Sequence, residues 1–399
     1  MRSTVRSTVV AACAALWAAA VSAQTVQLGP GSSLTFKGFI SATAFAQDNN
    51  FTFGNGQNAE WPTPPDSTTD EWFGGGDVRN TRLTMVFAGP KVVGEFKVGA
   101  TLEMDFFGGF TGTGAFNQQQ PNPRLRLAYA DLSNGSTTIR IGQMWSPIFG
   151  NVPVSLSHIA FPLGYGAAGD IGWRFPGILV DQLLTAKDSP VKANAQFAIL
   201  SGSWNGPGSN VDFGSAGSAT WPQFEVRFDL SGKAGTGTWS TYIVGHVDEK
   251  DLSGAGASTG TATTNDRLNG SAVEIGAKFQ FGPVMIQGNG YTGHSIGQQF
   301  GMLTQFGKIQ STGGWAQIGF DFTKNWSLFG FWGVEDPKDS DVLASNNTRV
   351  KNMMYAGMLR WKAGPFAIGA EYLRSDLTTG AAKVKTKGTQ VSLSALYSF

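Results

Sequence analysis

Histidine and acidic side chains are the first candidates for chemistry in this chain of 399 residues, which has three histidines. His246 and Asp248 are two positions apart and therefore share one face of an extended strand. An Asp–His pair on one face can activate a water molecule as a general base does. The alternative is a pair of solvated polar residues at the base of a loop, because no serine with the setting of a nucleophile accompanies it. The pair makes a hydrolase an alternative function, whereas the sequence as a whole predicts no catalytic residue.

A second candidate is the glycine-rich segment Gly288–Gly293, whose letters GNGYTG match the dinucleotide fingerprint G-x-G-x-x-G. That fingerprint functions only where a strand precedes it and a helix begins at it. Here the segment lies inside an alternating, strand-like stretch with no helical pattern. We interpret it as small residues in a strand. The sequence predicts no cofactor, and no cluster of side chains has the spacing of metal ligands.

Arginine is the residue type with the most informative distribution. The arginines of interest lie on the polar face of a predicted strand or at its start, and they are Arg82, Arg124, Arg126, Arg140 and Arg174. A guanidinium group keeps its charge at physiological pH and presents a fork of donors that fits carboxylates and phosphates. A wall of such groups in a narrow channel would concentrate anions. The alternative is that acids of the intervening strand, Glu95, Glu103 and Asp105, neutralise the arginines and only stiffen the wall.

The segments that carry these residues alternate apolar and polar positions with a period of two. Residues 223–230 read QFEVRFDL, so that Gln, Glu, Arg and Asp share one face and Phe, Val, Phe and Leu share the other. Residues 93–106 and 273–280 alternate in the same way, and no helical periodicity follows residue 23. With 54 glycines, 12% aromatic and only 14% charged residues, such strands suit a wall between lipid and water.

The connections between these segments alternate between short and long. Seven short turns are predicted at Gly89-Pro90, 133–136, 188–190, 231–235, Gly282-Pro283, 323–325 and Gly364-Pro365. Eight long polar loops are predicted at about 47–78, 107–122, 146–171, 202–221, 249–266, 295–310, 336–348 and 377–386. This alternation is typical of outer-membrane barrels, with turns in the periplasm and loops outside. It predicts 16 strands, the sixth of them near residues 173–183.

Aromatic residues lie near the short-turn ends of several predicted strands, on the apolar face, and they are Phe87, Trp239, Phe281, Trp326, Trp361, Phe366, Tyr397 and Phe399. Aromatic rings prefer the membrane interface, whereas a soluble β-protein would hold them in the middle of its strands. Residues 390–399 alternate as a closing strand, which we expect to pair with the first strand near residues 33–45 and leave no edge. The predicted fold is all-β, a 16-stranded antiparallel transmembrane β-barrel.

The first 23 residues are predicted to be a secretory signal peptide. Arg2 and Arg6 precede an apolar run of 13 residues, which is too short to span a bilayer, and small residues follow it. Lipid attachment at Cys13, the only cysteine, is the alternative. Without residues 1–23 the chain keeps 27 of its 29 basic residues against 28 acidic ones, which argues against a nucleic-acid partner. We therefore expect residues 24–399 to form one barrel in the outer membrane of a Gram-negative bacterium.

Loop 3, at about residues 146–171, is the predicted pore constriction. It is rich in Pro, Gly and aromatic residues, with Asp170 as its one acid and His158 as its one histidine. So apolar a loop is poorly suited to full exposure, and we expect it to fold into the lumen. Because it has so few acids to offset the arginines, it favours anions over cations. A sugar-type porin is the alternative, with a lumen lining that includes Trp315, Phe329 and Phe331.

Five segments between residues 79 and 178 are distinctive in their order and spacing: RNTRL at residues 79–83, LEMDFFG at 102–108, RLRLAY at 124–129, GQMWSP at 142–147 and R-x-P-x-I at 174–178. Together they resemble the DcaP-like trimeric porins. The resemblance implies a 16-stranded homotrimer in outer-membrane lipid. It also implies uptake of small anionic solutes such as dicarboxylates through an arginine-bearing constriction, with Arg82, Arg124, Arg126 and Arg174 as the matching residues. Arg140 is added from its strand parity alone.

The chain departs from that family in two respects. Leu127 stands where the family has a histidine, which weakens any inference about a shared substrate. Members of the family can carry an N-terminal coiled coil, whereas here only residues 24–32 precede the first predicted strand, so that a trimer would rest on the barrel wall and loops. The predicted function is passive diffusion of small hydrophilic solutes with a preference for anions.

Overall fold

The computed structural model describes residues 23–52, 54–63, 71–108, 121–201, 221–251, 267–300, 303 and 307–399. Within them the chain forms one sheet of 18 strands and two short helices. The strands are β1 (Gln24–Gly29), β2 (Ser32–Gln47), β3 (Phe73–Asp77), β4 (Arg82–Val93), β5 (Phe96–Gly108), β6 (Asn122–Ser133), β7 (Thr137–Trp145), β8 (Arg174–Leu183), β9 (Val191–Leu200), β10 (Gln223–Ala234), β11 (Gly237–Asp251), β12 (Arg267–Phe281), β13 (Val284–His294), β14 (Gln310–Asp321), β15 (Trp326–Pro337), β16 (Arg349–Ala363), β17 (Phe366–Thr379) and β18 (Val384–Ser398). The helices are α1 (Gly297–Phe300) and α2 (Asp339–Ala344). Neither of these helices is long and apolar enough to cross a membrane.

The sheet closes on itself as an antiparallel barrel of 16 strands, which confirms the predicted fold class. Strand β18 pairs with β2 from Gln390↔Gln47 to Ser398↔Phe39. Strands β3 and β4 pair with successive parts of the same edge of β2, so together they form the second strand of the barrel. Strand β1 folds back on the first residues of β2 as an additional hairpin. Closure leaves no free sheet edge around the barrel.

The faces of the strands are inverted relative to those of a soluble protein. On β10, Gln223 and Glu225 are fully buried, whereas Phe228 and Leu230 are 51% and 44% exposed. Large apolar side chains are exposed on the outward face of most strands. Aromatic pairs lie at the short-turn ends, as in the cross-strand pair Trp326↔Trp361 and the rings of Phe366 and Tyr397, whose centroids are 4.6 Å apart. An apolar outer belt with aromatic ends is the surface that a lipid bilayer solvates best.

The sixth barrel strand is confirmed as β8, but the first short turn lies elsewhere than predicted. Strand β4 continues past Gly89-Pro90 through two register irregularities, where a proline is tolerated because the ladder is locally interrupted. The chain turns instead at Gly94, whose φ of +52° suits glycine. Glu95 lies in this turn, exposed and ion-paired with Lys91 at 2.5 Å. The prediction that Glu95 is a lumen acid is therefore wrong.

Two loops fold into the lumen from the long-loop end. Parts of loop 1 (residues 48–72) and of loop 3 (residues 146–173) form a buried apolar cluster with the wall, which includes Trp61, Leu163, Ala168, Trp315 and Phe331. Most of loop 3 is buried, with Ile148 and Ile171 fully so. This inward fold agrees with the apolar composition of loop 3. The predicted signal peptide lies outside the described residues, apart from Ala23.

Candidate pore site at loop 3 and the arginine cluster

Loop 3 leaves β7 and crosses the lumen to the opposite wall, where strand side chains hold its backbone. The Ile148 N–H donates to Glu225 Oε2 at 2.8 Å, and the Val154 N–H donates to Gln317 Oε1 at 2.7 Å. Farther along, Asn352 Nδ2 donates to the Ala167 carbonyl at 3.0 Å. Buried backbone groups need such partners, because leaving one unpaired costs roughly 1–3 kcal/mol. These contacts fix the path of the loop against β10, β14 and β16.

The glycine-rich segment of β13 belongs to the wall against which loop 3 lies. Asn151 Nδ2 donates to the carbonyls of Ala277 and Gly288 at 3.0 and 3.3 Å, and Asn289 Nδ2 donates to the Asn151 carbonyl at 3.2 Å. Gly169 of loop 3 also lies against the wall, at β14: a Cβ at this position would be only 2.3 Å from Gly314 N. The segment is therefore part of a strand, as interpreted from the sequence, and it binds Asn151 of loop 3 through the Gly288 carbonyl and the Asn289 side chain.

Opposite this contact, Arg82, Arg124, Arg126 and Arg174 come together, and we call these four residues the arginine cluster. Arg124 binds Asp105 through Nε at 3.0 Å and Nη2 at 2.7 Å. Arg126 binds Glu103 at 2.8 Å and Asp105 at 2.7 Å, with its side chain only 2% exposed. The Arg82 Nε lies 3.7 Å from Glu103. The two acids predicted to oppose the arginines are thus their direct partners on the adjacent strand.

Aromatic rings of loop 3 and its flanks surround the cluster. The guanidinium carbon of Arg174 lies 4.2 Å from the ring centroid of Trp173 and 4.9 Å from that of Trp145. Arg124 lies 4.9 Å from the ring centroid of Phe161. Cation–π contacts of this kind contribute about 0.5–2 kcal/mol each, more where water is excluded. They hold the charges in place without neutralising them.

The charges of the cluster do not balance. Four guanidinium groups face two carboxylates, those of Glu103 and Asp105, so the cluster carries a formal excess of two positive charges. Two buried donors of Arg174, Nε and Nη1, and two of Arg82, Nε and Nη2, have no hydrogen-bond partner among the described residues. The acids Glu103 and Asp105 therefore bind the arginines and stiffen the wall, as one interpretation of the sequence has it, but they leave the wall net basic, as the other has it.

Strand β6 contains a β-bulge at Arg126. Glu103 pairs with Leu127 and Met104 pairs with Leu125, so Arg126 is the extra residue and has no partner across the ladder. On the other edge of β6, Gln143 Nε2 of β7 donates to the Arg126 carbonyl at 2.9 Å. A bulge of this kind shifts the alternation of the strand by one residue. Beyond it, Tyr129 and Asp131 share the face of Thr101 and Gly99.

Arg140 does not join the cluster. It pairs with Asp131 at 2.8 Å and lies 3.9 Å from the ring centroid of Tyr129, toward the short-turn end. Strict alternation would have turned Asp131 away from the lumen, and the bulge turns it back. The parity of β7 correctly placed Arg140 on the inner face, but it did not reveal its partner.

Three charged residues beside this site, Arg79, Glu60 and Asp170, are not among the site residues predicted from the sequence. Arg79 binds Asp77 at 2.7 Å and lies 4.5 Å from the ring centroid of Phe107. Glu60 of loop 1 and Asp170 of loop 3 are buried, and none of their carboxylate oxygens has a hydrogen-bond partner among the described residues. Burial raises the pKa of both carboxyl groups well above the usual range, and the proximity of Asp170 raises that of Glu60 further. The RNTRL segment offered a signal for Arg79, but nothing in the sequence shows that two loops meet.

The alternative functions lose their geometric support. Both ring nitrogens of His246 face carboxylates, with Glu225 at 2.9 Å and Asp248 at 3.3 Å, and the Phe300 ring packs against it. The His246 side chain is fully buried, so the imidazole cannot reach a solute. Trp315 and Phe331, suggested as a sugar-binding lining, are covered by the alanines and leucine of loop 3. The third suggested residue, Phe329, is buried in a cluster with Leu156 of the same loop.

Comparisons with known proteins identify the fold. No protein-family model matches the chain, and no curated protein matches it. Among solved structures, the outer-membrane channel DcaP of Acinetobacter baumannii superposes with a TM-score of 0.71 at 16% identity, over 94% of this chain and 99% of that one. An anion-selective porin from Comamonas acidovorans gives 0.56 at 14% identity, over 92% and 100%. OmpT of Vibrio cholerae, in a trimer form, gives 0.53 at 11%, over 92% and 100%. The resemblance to the DcaP-like porins is thus confirmed at the level of the fold.

Proposed function

We propose that this protein is an outer-membrane porin through which small hydrophilic solutes diffuse passively and anions pass preferentially. The observation that carries the proposal is the excess of two positive charges in the arginine cluster, next to the place where loop 3 crosses the lumen. A channel that forces ions past a basic wall enriches anions and excludes cations. Passage involves no chemical step, so no catalytic residue is required.

The size of the effect follows from Coulomb's law. In dilute salt of about 0.01 M, where the Debye length is about 30 Å and screening is weak, a unit charge about 8 Å away changes the energy of an ion in water by about 0.5 kcal/mol. The change has opposite signs for chloride and potassium, so that each lumen charge alters their permeability ratio by about 1 kcal/mol, or roughly fivefold. Loop 3 brings the water pathway within this range by occupying the opposite side of the lumen. Constriction and selectivity are therefore two aspects of the same arrangement.

Small dicarboxylates are the proposed solute class. Arg82 and Arg124 keep 17% and 18% of their side-chain surface exposed, so a solute can reach them. A carboxylate accepts hydrogen bonds from a guanidinium fork with good geometry. The resemblance to the DcaP-like porins suggests the same class of solute.

The protein is further proposed to be a homotrimer in the outer membrane of a Gram-negative bacterium, exported through a cleaved signal peptide. The apolar outward belt and the trimer form of the Vibrio cholerae neighbour support this arrangement. Light scattering of the detergent-solubilised protein gives its subunit number directly. A monomer at every detergent concentration would contradict the trimer and leave the channel proposal intact.

Planar-bilayer recording tests the channel function with residues 24–399, refolded in detergent. We expect stepwise conductance in potassium chloride and a zero-current potential with the sign of chloride preference. Arg124→Gln removes one positive charge and should lower the chloride-to-potassium ratio about fivefold. Arg374→Gln is the matched control, because Arg374 is ion-paired with Asp376 on the outward face of β17. Absence of conductance from folded protein would refute the porin, and potassium preference would refute the role of the arginines.

A further inference from the structure

A cavity of about 630 Å³ lies at the short-turn end of β9 to β12, away from the arginine cluster. Three lysines from three strands line it, Lys192 on β9, Lys233 on β10 and Lys278 on β12. Hydroxyl groups of Ser231 and Ser240 lie between them on the same wall. The proposed function makes no use of this cavity, because the arginine cluster lies on β4 to β8.

The strand register places the lysines around the two serines. Lys192 pairs with Ser231, Ser231 pairs with Ser240, and Ser240 pairs with Lys278. These four residues form one row across four adjacent strands, about 14 Å wide at the strand spacing of about 4.8 Å. Lys233 lies two residues beyond Ser231 on the same face of β10, about 7 Å toward the turn. The flexible stems of all three lysines can therefore bring their ammonium groups over the serine hydroxyls.

The positive charge of the cavity is not offset by its neighbours. No ion pair within the described part of the chain involves any of the three lysines, and Lys192 Nζ donates instead to the carbonyls of Ala186 and Lys187. The nearest acid on these strands, Asp229, is held by Arg227 at 2.8 Å. Asp188 in the turn between β8 and β9 is exposed to solvent. Counting Asp188 against the lysines still leaves an excess of two positive charges.

We propose that this cavity binds a phosphate group, as free phosphate or as a small phosphate ester. Ammonium groups act as point charges with rotatable donors, so a site built of lysines fits a tetrahedral oxyanion better than it fits a planar carboxylate. The serine hydroxyls add donors from below, and Gln280 at the edge is already engaged with the Gly282 carbonyl at 2.8 Å. The cavity is thus a second anion site, chemically distinct from the guanidinium cluster. The inference rests on the proposed function only in requiring that the lumen contain water.

Isothermal titration of refolded residues 24–399 in a zwitterionic detergent tests this site with inorganic phosphate. We expect saturable binding that weakens as sodium chloride is added, because the contacts are ionic. The variant Lys192→Gln/Lys233→Gln/Lys278→Gln should bind about tenfold more weakly or not at all, since hydrogen bonds to charged groups contribute most. Lys338→Gln/Lys351→Gln/Lys383→Gln is the matched control, because these lysines form ion pairs at the opposite, long-loop end. It should bind phosphate as the unmodified protein does.

Further titrations distinguish free phosphate from a phosphate ester as the ligand, and the phosphate site from the porin function. Glycerol 3-phosphate that binds as tightly as phosphate supports a site open to esters, and succinate that binds equally would overturn the phosphate assignment. Loss of phosphate binding in Arg124→Gln, or equal loss in the control triple variant, would also overturn it, as would absent binding by folded protein. Because binding needs no conductance, phosphate binding without channel activity would refute the porin proposal and leave this site standing.

Discussion

The substitution Asp105→Asn separates the structural role of the arginine cluster from its electrostatic role. Asp105 has a fully buried side chain and accepts three charge-assisted hydrogen bonds, at 3.0 and 2.7 Å from Arg124 and at 2.7 Å from Arg126. Breaking a buried ion pair by removing one partner costs about 3–5 kcal/mol. Asparagine keeps one acceptor oxygen and Arg126 keeps Glu103, so we expect the lower end, about 3 kcal/mol. The same change raises the formal excess charge of the cluster from two to three.

Urea unfolding in detergent micelles, followed by tryptophan fluorescence, measures the loss of stability. Asp131→Asn is the reference, because its partner Arg140 is 30% exposed and such pairs contribute about 1 kcal/mol or less. Asp105→Asn should therefore lower the free energy of unfolding by about 2 kcal/mol more than Asp131→Asn, while the preference for chloride increases. Equal losses in the two variants would show that Asp105 is not the buried anchor of the cluster. A reduced chloride preference in Asp105→Asn would refute the electrostatic reasoning.

Three further predictions concern the loops and the alternative function. Burial raises the pKa of Glu60 and of Asp170 above the value of about 4 in the unfolded chain. The packing of loop 1 on loop 3 should therefore lose stability as pH rises from about 4 toward the folded pKa. Hydrogen exchange of the loop 3 amides should accelerate over that range, and Glu60→Gln/Asp170→Asn should abolish the pH dependence. Gly169→Ala should displace loop 3 and change single-channel conductance, because Gly169 has a φ of +89° and no space for a Cβ, whereas Gly235→Ala, with a φ of +59° and open space, should leave conductance unchanged. His246→Ala should destabilise the barrel by leaving Glu225 and Asp248 without the buried imidazole, yet retain ion conductance, and loss of conductance from folded protein would contradict this.

The barrel could be predicted from the sequence because its rules are local. Alternation with a period of two assigns each residue of β10 to lipid or lumen, and it did so correctly from Gln223 to Leu230. The count of short and long connections required a sixth strand, which is β8. Composition alone indicated that loop 3 turns inward, since an apolar loop is more stable when buried.

The site could be predicted only in part, because its geometry depends on pairing between distant segments. The bulge at Arg126 shifts the parity of β6, and a one-residue slip is invisible to a pattern that assumes constant alternation. For the same reason the sequence predicts the first turn at Gly89-Pro90, whereas the chain turns at Gly94 and Glu95 lies outside the lumen. The meeting of Glu60 with Asp170 joins two loops more than 100 residues apart, and no local signal records it.

The central claim is that the excess of guanidinium over carboxylate groups beside loop 3 sets the ion preference of the pore. Its most direct test is the zero-current potential of three proteins under one gradient of dilute potassium chloride, where screening is weak. The three proteins are Arg124→Gln, the unmodified protein and Asp105→Asn. Their clusters carry formal excess charges of one, two and three. We predict that the chloride-to-potassium permeability ratio rises in that order, by about fivefold at each step. A ratio that is the same in all three proteins, or that falls along the series, would contradict the account.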